Sequence, residues 1–563
     1  MKILIKNGYV YDPLNKIDGE IMDIAIENGK IVESVSGEVK EIDAKNMIVM
    51  PGGVDLHSHI AGSKVNAGRL LRPEDHYKDV EKKTNIKRSG VGYTVPSTFT
   101  TGYRYSEMGY TTVMEAATPP LKTRHTHEEL NDIPMVDKAC LSVLDNNWIV
   151  LDYLSKNELE KCAAFIGWIL NAIKGYGIKI VNPGGVELWG WGKNVKTIDD
   201  QVPPFNITPR EIIRGLCKIN KMLNLPHTIH LHTNNLGTPG NYRTLIESMK
   251  CVSDLSNGSI VLHVTHVQFC GYKGYSWITL SSGASEIAKF VNENKYVTLD
   301  LGQIVFGDAT TMTADGPFQY ILYSLSKNKW INADVEAETS AGIVPYRFKK
   351  KNYVNAIQWS IGLELTLLVK DPWRIFLTTD HPNAGLFTSY PKLIAWLMSK
   401  KAREKILKKV NKRAKSKMIL PTLEREYTFY EIAIITRAGT AKALGLKNKG
   451  HLGIGADADV AIYDLNPKEI DPSKDYKKVR RAFRKAAYTI KDGKIVCKNG
   501  EVVENISGKT YWVNVDIPKD LLISTISEVK EKFEEYYTVK MENYAIHENE
   551  LLKSAPLKIN SNL

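Results

Sequence analysis

The 563-residue sequence lacks the features that mark secreted, membrane-spanning and redox-cluster proteins. It has six cysteines but no CxxC pair, which argues against a disulfide framework and against an iron–sulfur cluster held by this chain alone. It has no run of about 18 apolar residues, so no membrane span is expected. Residues 1–8 turn polar too early for a secretory signal peptide. These absences predict a cytoplasmic protein with reduced thiols.

Positive charge exceeds negative charge, and the excess is concentrated in residues 400–417. The formal net charge is +12, and this segment contains ten lysines and arginines and a single acid, Glu404. Apolar residues recur in it at helical spacing, namely Ile406, Leu407, Val410 and Ala414. The segment has no aromatic residue, which disfavours single-stranded nucleic acid as a partner. Two interpretations stay open: a solvated basic helix, or a docking face for an acidic protein or an anionic substrate.

Alternating segments joined by tight turns lie near both ends of the chain. Residues 23–32 alternate around Asn28-Gly29, and residues 488–496 alternate around Asp492-Gly493. Such dipeptides mark β-hairpins. We therefore expect one small β-domain built from both ends, with the middle inserted between them. An apolar stripe within residues 522–537 predicts a separate C-terminal helix, and the last ten residues are expected to be frayed.

The middle of the chain alternates between helical and strand patterns, which is typical of parallel βαβ units. Residues 208–211 form a capping box with proline at the first helical position. Residues 227–233 then switch to period two, and a helix near 285–294 precedes a strand at 296–301. An eight-stranded β/α barrel is the leading prediction. A doubly wound sheet is the alternative, although no Gly-rich phosphate loop follows an early strand.

Two histidines, His57 and His59, follow an apolar run that starts at residue 48. On a strand, residues two apart point the same way, so both imidazoles can reach one metal ion. An isolated HxH pattern is more often two polar residues in a loop. The assignment therefore depends on further candidates later in the chain.

Those candidates lie near the ends of predicted strands, where barrel enzymes place their catalytic groups. In chain order they are Lys179, His230, His232, His263, His266 and Asp380. Lys179 lies inside a short apolar strand, where an ammonium needs a partner or a lowered pKa. The pair at 230 and 232 repeats the HxH spacing. The pair at 263 and 266 is three apart, so only one of the two is expected to face a barrel centre.

The order HxH, lysine, histidine, histidine, aspartate resembles the two-metal members of the amidohydrolase superfamily. That resemblance implies an α/β fold, a (β/α)8 TIM-like barrel with a small β-sandwich formed by the N- and C-terminal segments. The implied domains are a sandwich from residues 1–51 and 436–512, a barrel from 52–435 and a C-terminal extension from 513–563. It also implies two divalent metal ions, with zinc favoured. Their implied ligands are His57, His59, Lys179, His232, His266 and Asp380.

The resemblance also implies a role for each ligand. Lys179 is expected to be carboxylated by carbon dioxide, so that the carbamate of N6-carboxylysine bridges the two ions. His57 and His59 would bind the first ion, and His232 and His266 the second. Asp380 would bind the first ion and act as the general base.

Several loops resemble, more specifically, one subunit type of the formylmethanofuran dehydrogenases. The segments are residues 62–69, 102–112, 115–120 and 232–237, and the likeness covers nearly all of residues 1–545. This family occurs mainly in methanogenic archaea. The resemblance implies condensation of formate with methanofuran to N-formylmethanofuran, and the reverse hydrolysis, during CO2 reduction in methanogenesis. It also implies partner subunits that carry a tungsten or molybdenum pterin and iron–sulfur clusters.

Two other functions stay open at this point. Another cyclic-amide or N-acyl amidohydrolase, such as a dihydropyrimidinase-like enzyme, would use the same metal ligands. A barrel that has lost catalysis would serve instead as a scaffold in an assembly. Metal content distinguishes the scaffold from both enzymes.

Overall fold

The structure, a computed structural model, describes residues 2–335, 339–537 and 539–563. Met1 of the predicted sandwich segment and Thr538 of the predicted C-terminal extension lie outside the described residues. Within the described ranges, every helix is too short or too polar to cross a bilayer.

Eight parallel strands form the predicted barrel. In chain order they are Gly53–Ser58, Tyr110–Thr118, Asp137–Val143, Gly177–Val181, Ile229–His232, Leu262–Val264, Val297–Asp300 and Ile375–Phe376. Each strand pairs with the next, and a parallel bridge between Ser58 and His381 joins the ends of the first and eighth strands. The amide of His59 also donates to the carbonyl of His381 at 2.7 Å. This closure places the residues after the first strand beside those after the eighth.

Helices between successive strands cover the barrel, and further helices follow the eighth strand. Their bounds are Ser63–Leu71, Thr98–Glu107, Thr123–Asp132, Trp148–Ser155, Leu159–Ile173, Gly185–Trp189, Pro209–Met222, Tyr242–Lys250, Ala284–Glu293, Gly316–Ser326, Tyr353–Leu368, Tyr390–Leu397, Lys400–Leu407, Phe429–Ala433, Gly439–Ala443, Tyr476–Arg484 and Lys519–Tyr536. The predicted capping box is confirmed, because Thr208 accepts from the Glu211 amide and Glu211 accepts from the Thr208 amide.

The two ends of the chain share one nine-stranded sheet, as predicted. Its strands are Lys2–Asp12, Ile17–Glu27, Lys30–Val32, Lys40–Asp43, Ile48–Pro51, Val460–Tyr463, Tyr488–Lys491, Lys494–Lys498 and Glu501–Val502. Ile48–Pro51 pairs with Val460–Tyr463 and so joins the two segments. Both predicted hairpin turns are confirmed, since Asn28 and Asp492 have left-handed φ angles of 51° and 48°.

The C-terminal region adds two strands to the outside of the barrel sheet. Thr510–Asp516 pairs in parallel with Ser554–Asn560, and Thr510 bridges to Lys138 of the third barrel strand. The predicted C-terminal helix is confirmed as Lys519–Tyr536. The prediction that the last ten residues are frayed is wrong, because most of them form the paired strand Ser554–Asn560. Two smaller sheets complete the fold, formed by Tyr272–Lys273 with Ser281–Ser282 and by Gly307–Thr313, Ile331–Val335 and Thr339–Phe348.

A buried ionic network joins the nine-stranded sheet to the barrel. The Lys449 ammonium contacts Asp137 and lies 2.9 Å from Asp457 Oδ2 and 2.7 Å from Asp459 Oδ2. The Lys491 ammonium lies 3.1 Å from Asp137 Oδ1 and 3.2 Å from Asp459 Oδ1. Burial alone would raise the pKa of Asp137, but the two ammonium groups lower it below its usual value. Asp137 begins the third barrel strand, so these charges fix the sheet against the barrel.

We expect Lys449→Met to lower the free energy of unfolding by about 3–5 kcal/mol, because it leaves buried carboxylates without their shared cation. Urea unfolding at neutral pH measures the loss. Lys408→Met is the matched control, since Lys408 is exposed. A loss in Lys449→Met no larger than in the control would contradict the stabilising role of the network.

Candidate functional site

The six predicted ligands line one cavity at the carboxyl ends of the barrel strands. They are His57, His59, Lys179, His232, His266 and Asp380, and the other lining residues include Phe318 and Asn383. This cavity is small, about 10 Å³. A larger cavity of about 690 Å³ lies at the opposite ends of the later strands, but none of the six residues lines it. The chemistry of the lining, and not the volume, therefore locates the candidate site.

His57, His59 and Asp380 converge as three donor atoms from the joined ends of the barrel. Nε2 of His57 lies 3.0 Å from Oδ1 of Asp380, and Nε2 of His59 lies 3.3 Å from the same oxygen. All three side chains are buried. Burial alone would raise the pKa of Asp380, but His57 and His266 hold it well below its usual value. A buried carboxylate and two imidazoles within 4.8 Å of one another can hold a cation.

A chain of imidazoles determines which nitrogen of His57 faces this cluster. Nδ1 of His227 lies 2.7 Å from the Ala443 carbonyl, which can only accept, so Nδ1 of His227 donates. Nε2 of His227 then accepts from Nδ1 of His230 at 3.0 Å, and Nε2 of His230 accepts from Nδ1 of His57 at 2.9 Å. The network thus leaves the Nε2 lone pair of His57 directed at Asp380. Within the described part of the chain, this nitrogen has no hydrogen-bond partner.

The electrostatic field at His57 favours positive charge. Burial alone would lower the pKa of His57, but the carboxylates of Asp300 and Asp380 raise it above its usual value. Nδ1 is already committed to His230, with Asp300 Oδ2 at 3.4 Å. The added charge, whether a proton or a metal ion, therefore belongs on Nε2.

Lys179 is buried in the fourth strand, as predicted. Its ammonium nitrogen lies 3.3 Å from Oγ1 of Thr265. Burial is the main reason why the pKa of Lys179 falls to about 7, although the carboxylates of Asp300 and Asp380 oppose the shift. A large fraction of this lysine is therefore a neutral, nucleophilic amine at neutral pH.

His232 and His266 lie edge to face, with ring centroids 4.7 Å apart. Nε2 of His232 lies 2.9 Å from Oδ2 of Asp315, which leaves Nδ1 as its free lone pair. Nδ1 of His266 has no hydrogen-bond partner among the described residues. Burial lowers the pKa of both rings, so each is neutral and can act as a ligand.

His266 reaches the cavity because the backbone turns sharply after the sixth strand. The strand ends at Val264, and His266 has a left-handed φ of 37°. Gly302 packs against this turn, where an added Cβ would lie only 2.3 Å from Cβ of His266. The close approach therefore requires glycine.

His263 also faces the barrel interior, so the expectation that only one of His263 and His266 does so is wrong. The period-two argument fails because the strand ends before His266. Nε2 of His263 lies 3.1 Å from Asp300 Oδ2, and its Nδ1 lies 2.9 Å from Thr298 Oγ1. His230 likewise uses both nitrogens inside the barrel. His230 and His263 thus form a layer beneath the cavity, whereas His232 and His266 line the cavity itself.

Two buried carboxylates support the candidate ligands and were not predicted as site residues. Glu115 accepts from the amides of Ile60 and Ala61 at 2.7 and 3.0 Å, and its other oxygen lies 3.1 Å from Nδ1 of His59. Asp300 accepts from the His266 amide at 3.0 Å and lies near His57 and His263. A signal existed for both, because an acid inside or directly after an apolar strand requires a buried partner.

Comparison with known proteins gives consistent results. Residues 40–497 match the amidohydrolase family. The chain is 53% identical over 554 residues to protein FwdA of Methanocaldococcus jannaschii, which covers 97% of each chain. It is 35% identical to the first of the subunits of formyltransferase/hydrolase complex Fhc, FhcA, of Methylorubrum extorquens, over 94% of each chain. A crystal structure of the FhcABCD complex from that organism, with methylofuran, contains a chain that superposes with a TM-score of 0.90 at 32% identity, covering 99% of this chain and all of that one.

Proposed function

Because this chain belongs to the amidohydrolase family and is a hydrolase-type enzyme, we propose that it forms and hydrolyses the formyl amide of methanofuran. In the forward direction, formate and the primary amine of methanofuran would give N-formylmethanofuran and water. One observation carries the proposal: the six side chains predicted as a ligand set line a single cavity at the catalytic end of the barrel. The names of the relatives support formyl chemistry in particular.

The donor set fits two divalent ions, with zinc favoured by its imidazoles. His57, His59 and Asp380 would hold one ion, because their donor atoms already converge and Nε2 of His57 is an unpartnered lone pair. His232 and His266 would hold the other, because each ring is neutral and keeps one uncommitted nitrogen. We choose these two over His230 and His263 since the latter spend both nitrogens in the lower layer.

Lys179 is suited to become the bridge between the two ions. Its neutral amine would attack carbon dioxide, forming an N–C bond and releasing one proton, which gives a carbamate with two oxygen donors. The lowered pKa of Lys179, about 7, supplies the neutral amine that this addition requires. An ammonium could not bind a cation, whereas a carbamate can.

Bound ions would polarise the formyl oxygen and lower the pKa of water. Asp380 would carry the proton between the attacking group and the leaving group. In hydrolysis it takes the proton of the attacking water and gives it to the amine nitrogen as the C–N bond breaks. In synthesis it takes the proton of the amine that attacks formate, and the carboxyl oxygen then leaves as water. The low pKa of Asp380 keeps it ionised and ready to accept that proton.

We further propose that the chain works within a formylmethanofuran dehydrogenase as one of its subunits. The relative from M. extorquens is itself named as part of a complex, and it matches along nearly the whole chain. The formate would come from a partner with a tungsten or molybdenum pterin, supplied with electrons by iron–sulfur subunits.

Substrate hydrolysis and metal content together test this function. The purified protein should release formate from N-formylmethanofuran and leave hydantoin and dihydrouracil intact, and elemental analysis should find close to two divalent ions per chain. Preference for the cyclic amides would establish the dihydropyrimidinase-like alternative. Absence of metal together with absence of activity would establish the scaffold.

Glu115→Gln should weaken metal binding about 10- to 100-fold, because the amide no longer carries the charge that orients and polarises His59. Competition with a chelator measures the affinity. Glu129→Gln serves as the control, since Glu129 pairs with Arg69 in a nearby loop and does not line the cavity. An affinity equal to that of the unmodified protein would remove Glu115 from the metal site.

A further inference from the structure

A groove on the outer surface lies among three helices: Tyr390–Leu397, Lys400–Leu407 and Tyr476–Arg484. Its volume is about 400 Å³, and none of its lining residues lines the candidate metal cavity. The basic segment 400–417 contributes only part of it. The helix in that segment ends at Leu407, and Arg403 points inward to donate to four backbone carbonyls.

Six cations surround this groove: Lys392, Lys405, Lys477, Arg480, Arg481 and Arg484. No carboxylate is present among its described lining residues. None of the six cations forms an ion pair with any residue that the structure describes. Neighbouring lysines do form such pairs, since Lys478 lies 3.3 Å from Asp475 and Lys474 lies 3.1 Å from Asp471. The groove thus concentrates uncompensated positive charge.

The floor of the groove is apolar. It consists of Ala395, Trp396, Ala402 and the half-buried Ile406. The ammonium of Lys392 lies 4.9 Å from the Trp396 ring centroid. Burial, together with the positive charges of Arg480 and Lys350, lowers the pKa of Lys392 to about 8. A negative group in the groove would relieve this cost.

We propose that this basic groove is the docking site for an acidic segment of another polypeptide. Carboxylates of that segment would pair with the six cations, and one of its apolar side chains would cover Ile406 and the floor. A small inorganic anion would leave the floor uncovered. Nucleic acid would require exposed rings for stacking, whereas Trp396 is only 3% exposed. The combination of an apolar floor and a cationic rim matches the anatomy of a protein interface.

Binding of labelled peptides to the full-length protein tests the site. One peptide carries glutamates around a central leucine, and a second has serine in place of leucine. We expect the leucine peptide to bind more tightly. Arg480→Glu with Arg481→Glu should weaken its binding by about tenfold or more, because two attractions become repulsions. Lys408→Glu with Lys409→Glu is the matched control, since both residues are exposed, lie outside the groove and change the charge equally.

Three outcomes would overturn the proposal: equal losses in the two double variants, equal affinity for the two peptides, or tighter binding of a labelled single-stranded oligonucleotide. A photo-crosslinker at Tyr476 in the native assembly gives a second measurement. We expect it to join an acidic segment of another chain, and to lose that product in the Arg480→Glu, Arg481→Glu variant. A product lacking acidic residues would contradict the proposal. Metal content and formyl hydrolysis should stay unchanged in both double variants, so failure here is distinct from failure of the proposed function.

Discussion

Lys179→Ala should lose most of the bound metal and reduce formyl hydrolysis by about a thousandfold or more, since the Lewis acid supplies several kcal/mol of transition-state stabilisation. The lysine occupies the fourth strand, within the same cavity as the five other candidate ligands. Without its carbamate, two cations would face one another with no shared anion. Elemental analysis and the hydrolysis assay measure the two losses, and labelled carbon dioxide should mark the unmodified protein but not the variant.

Lys138→Ala is the matched control for this prediction. Lys138 is equally buried in the third strand, but its ammonium donates to the carbonyls of Ile133 and Gly508 and does not reach the cavity. We expect this variant to lose stability and to keep its metal. If Lys179→Ala retained both ions and full activity, Lys179 would not be the bridge.

Asp380→Asn should retain most of the metal and lower the hydrolysis rate by about 10²- to 10⁴-fold, the usual contribution of a general base. Asparagine has nearly the same shape and keeps an oxygen for the ion, but it cannot accept the proton. Asn383, whose side-chain amide donates to Asp380 Oδ1 at 2.8 Å, should still position it.

Asp371→Asn is the control, since Asp371 is an exposed cap in the turn before the eighth strand. Metal content separates a lost base from a lost ligand. Equal rates in Asp380→Asn and the unmodified protein would assign the proton transfer to another group. Asp300 would then be the next candidate, because it is buried and ionised beside His57.

Local sequence patterns predicted much of the fold because short-range physics decides them. The Asn28-Gly29 and Asp492-Gly493 turns need left-handed backbone, and the capping box at Thr208 satisfies helix-end amides within four residues. The HxH motif identified the end of the first strand by its two-residue period. The family resemblance then supplied the order of the other candidates, and the structure brings all of them to one cavity.

The remaining features depend on contacts between distant residues. Nothing near Glu115 in sequence indicates that His59 is its partner, and nothing near Lys449 indicates that Asp137 is. The facing of His263 and His266 was mispredicted because strand length is set by neighbouring strands and by the close approach of Gly302. In the basic segment, periodicity alone did not show that the helix stops at Leu407 or that Arg403 turns inward.

The shared terminal sheet has a consequence for synthesis of the protein. Ile48–Pro51 lies between Lys2–Asp12 and Val460–Tyr463, and its second neighbour is made about 400 residues later. At roughly 5–20 residues per second, the ribosome needs about 20–80 s to reach it. Throughout that interval, the nascent chain presents an apolar strand with one open edge, a template for pairing with the wrong chain. Chaperones that act during translation should therefore determine its yield more than those that act after release.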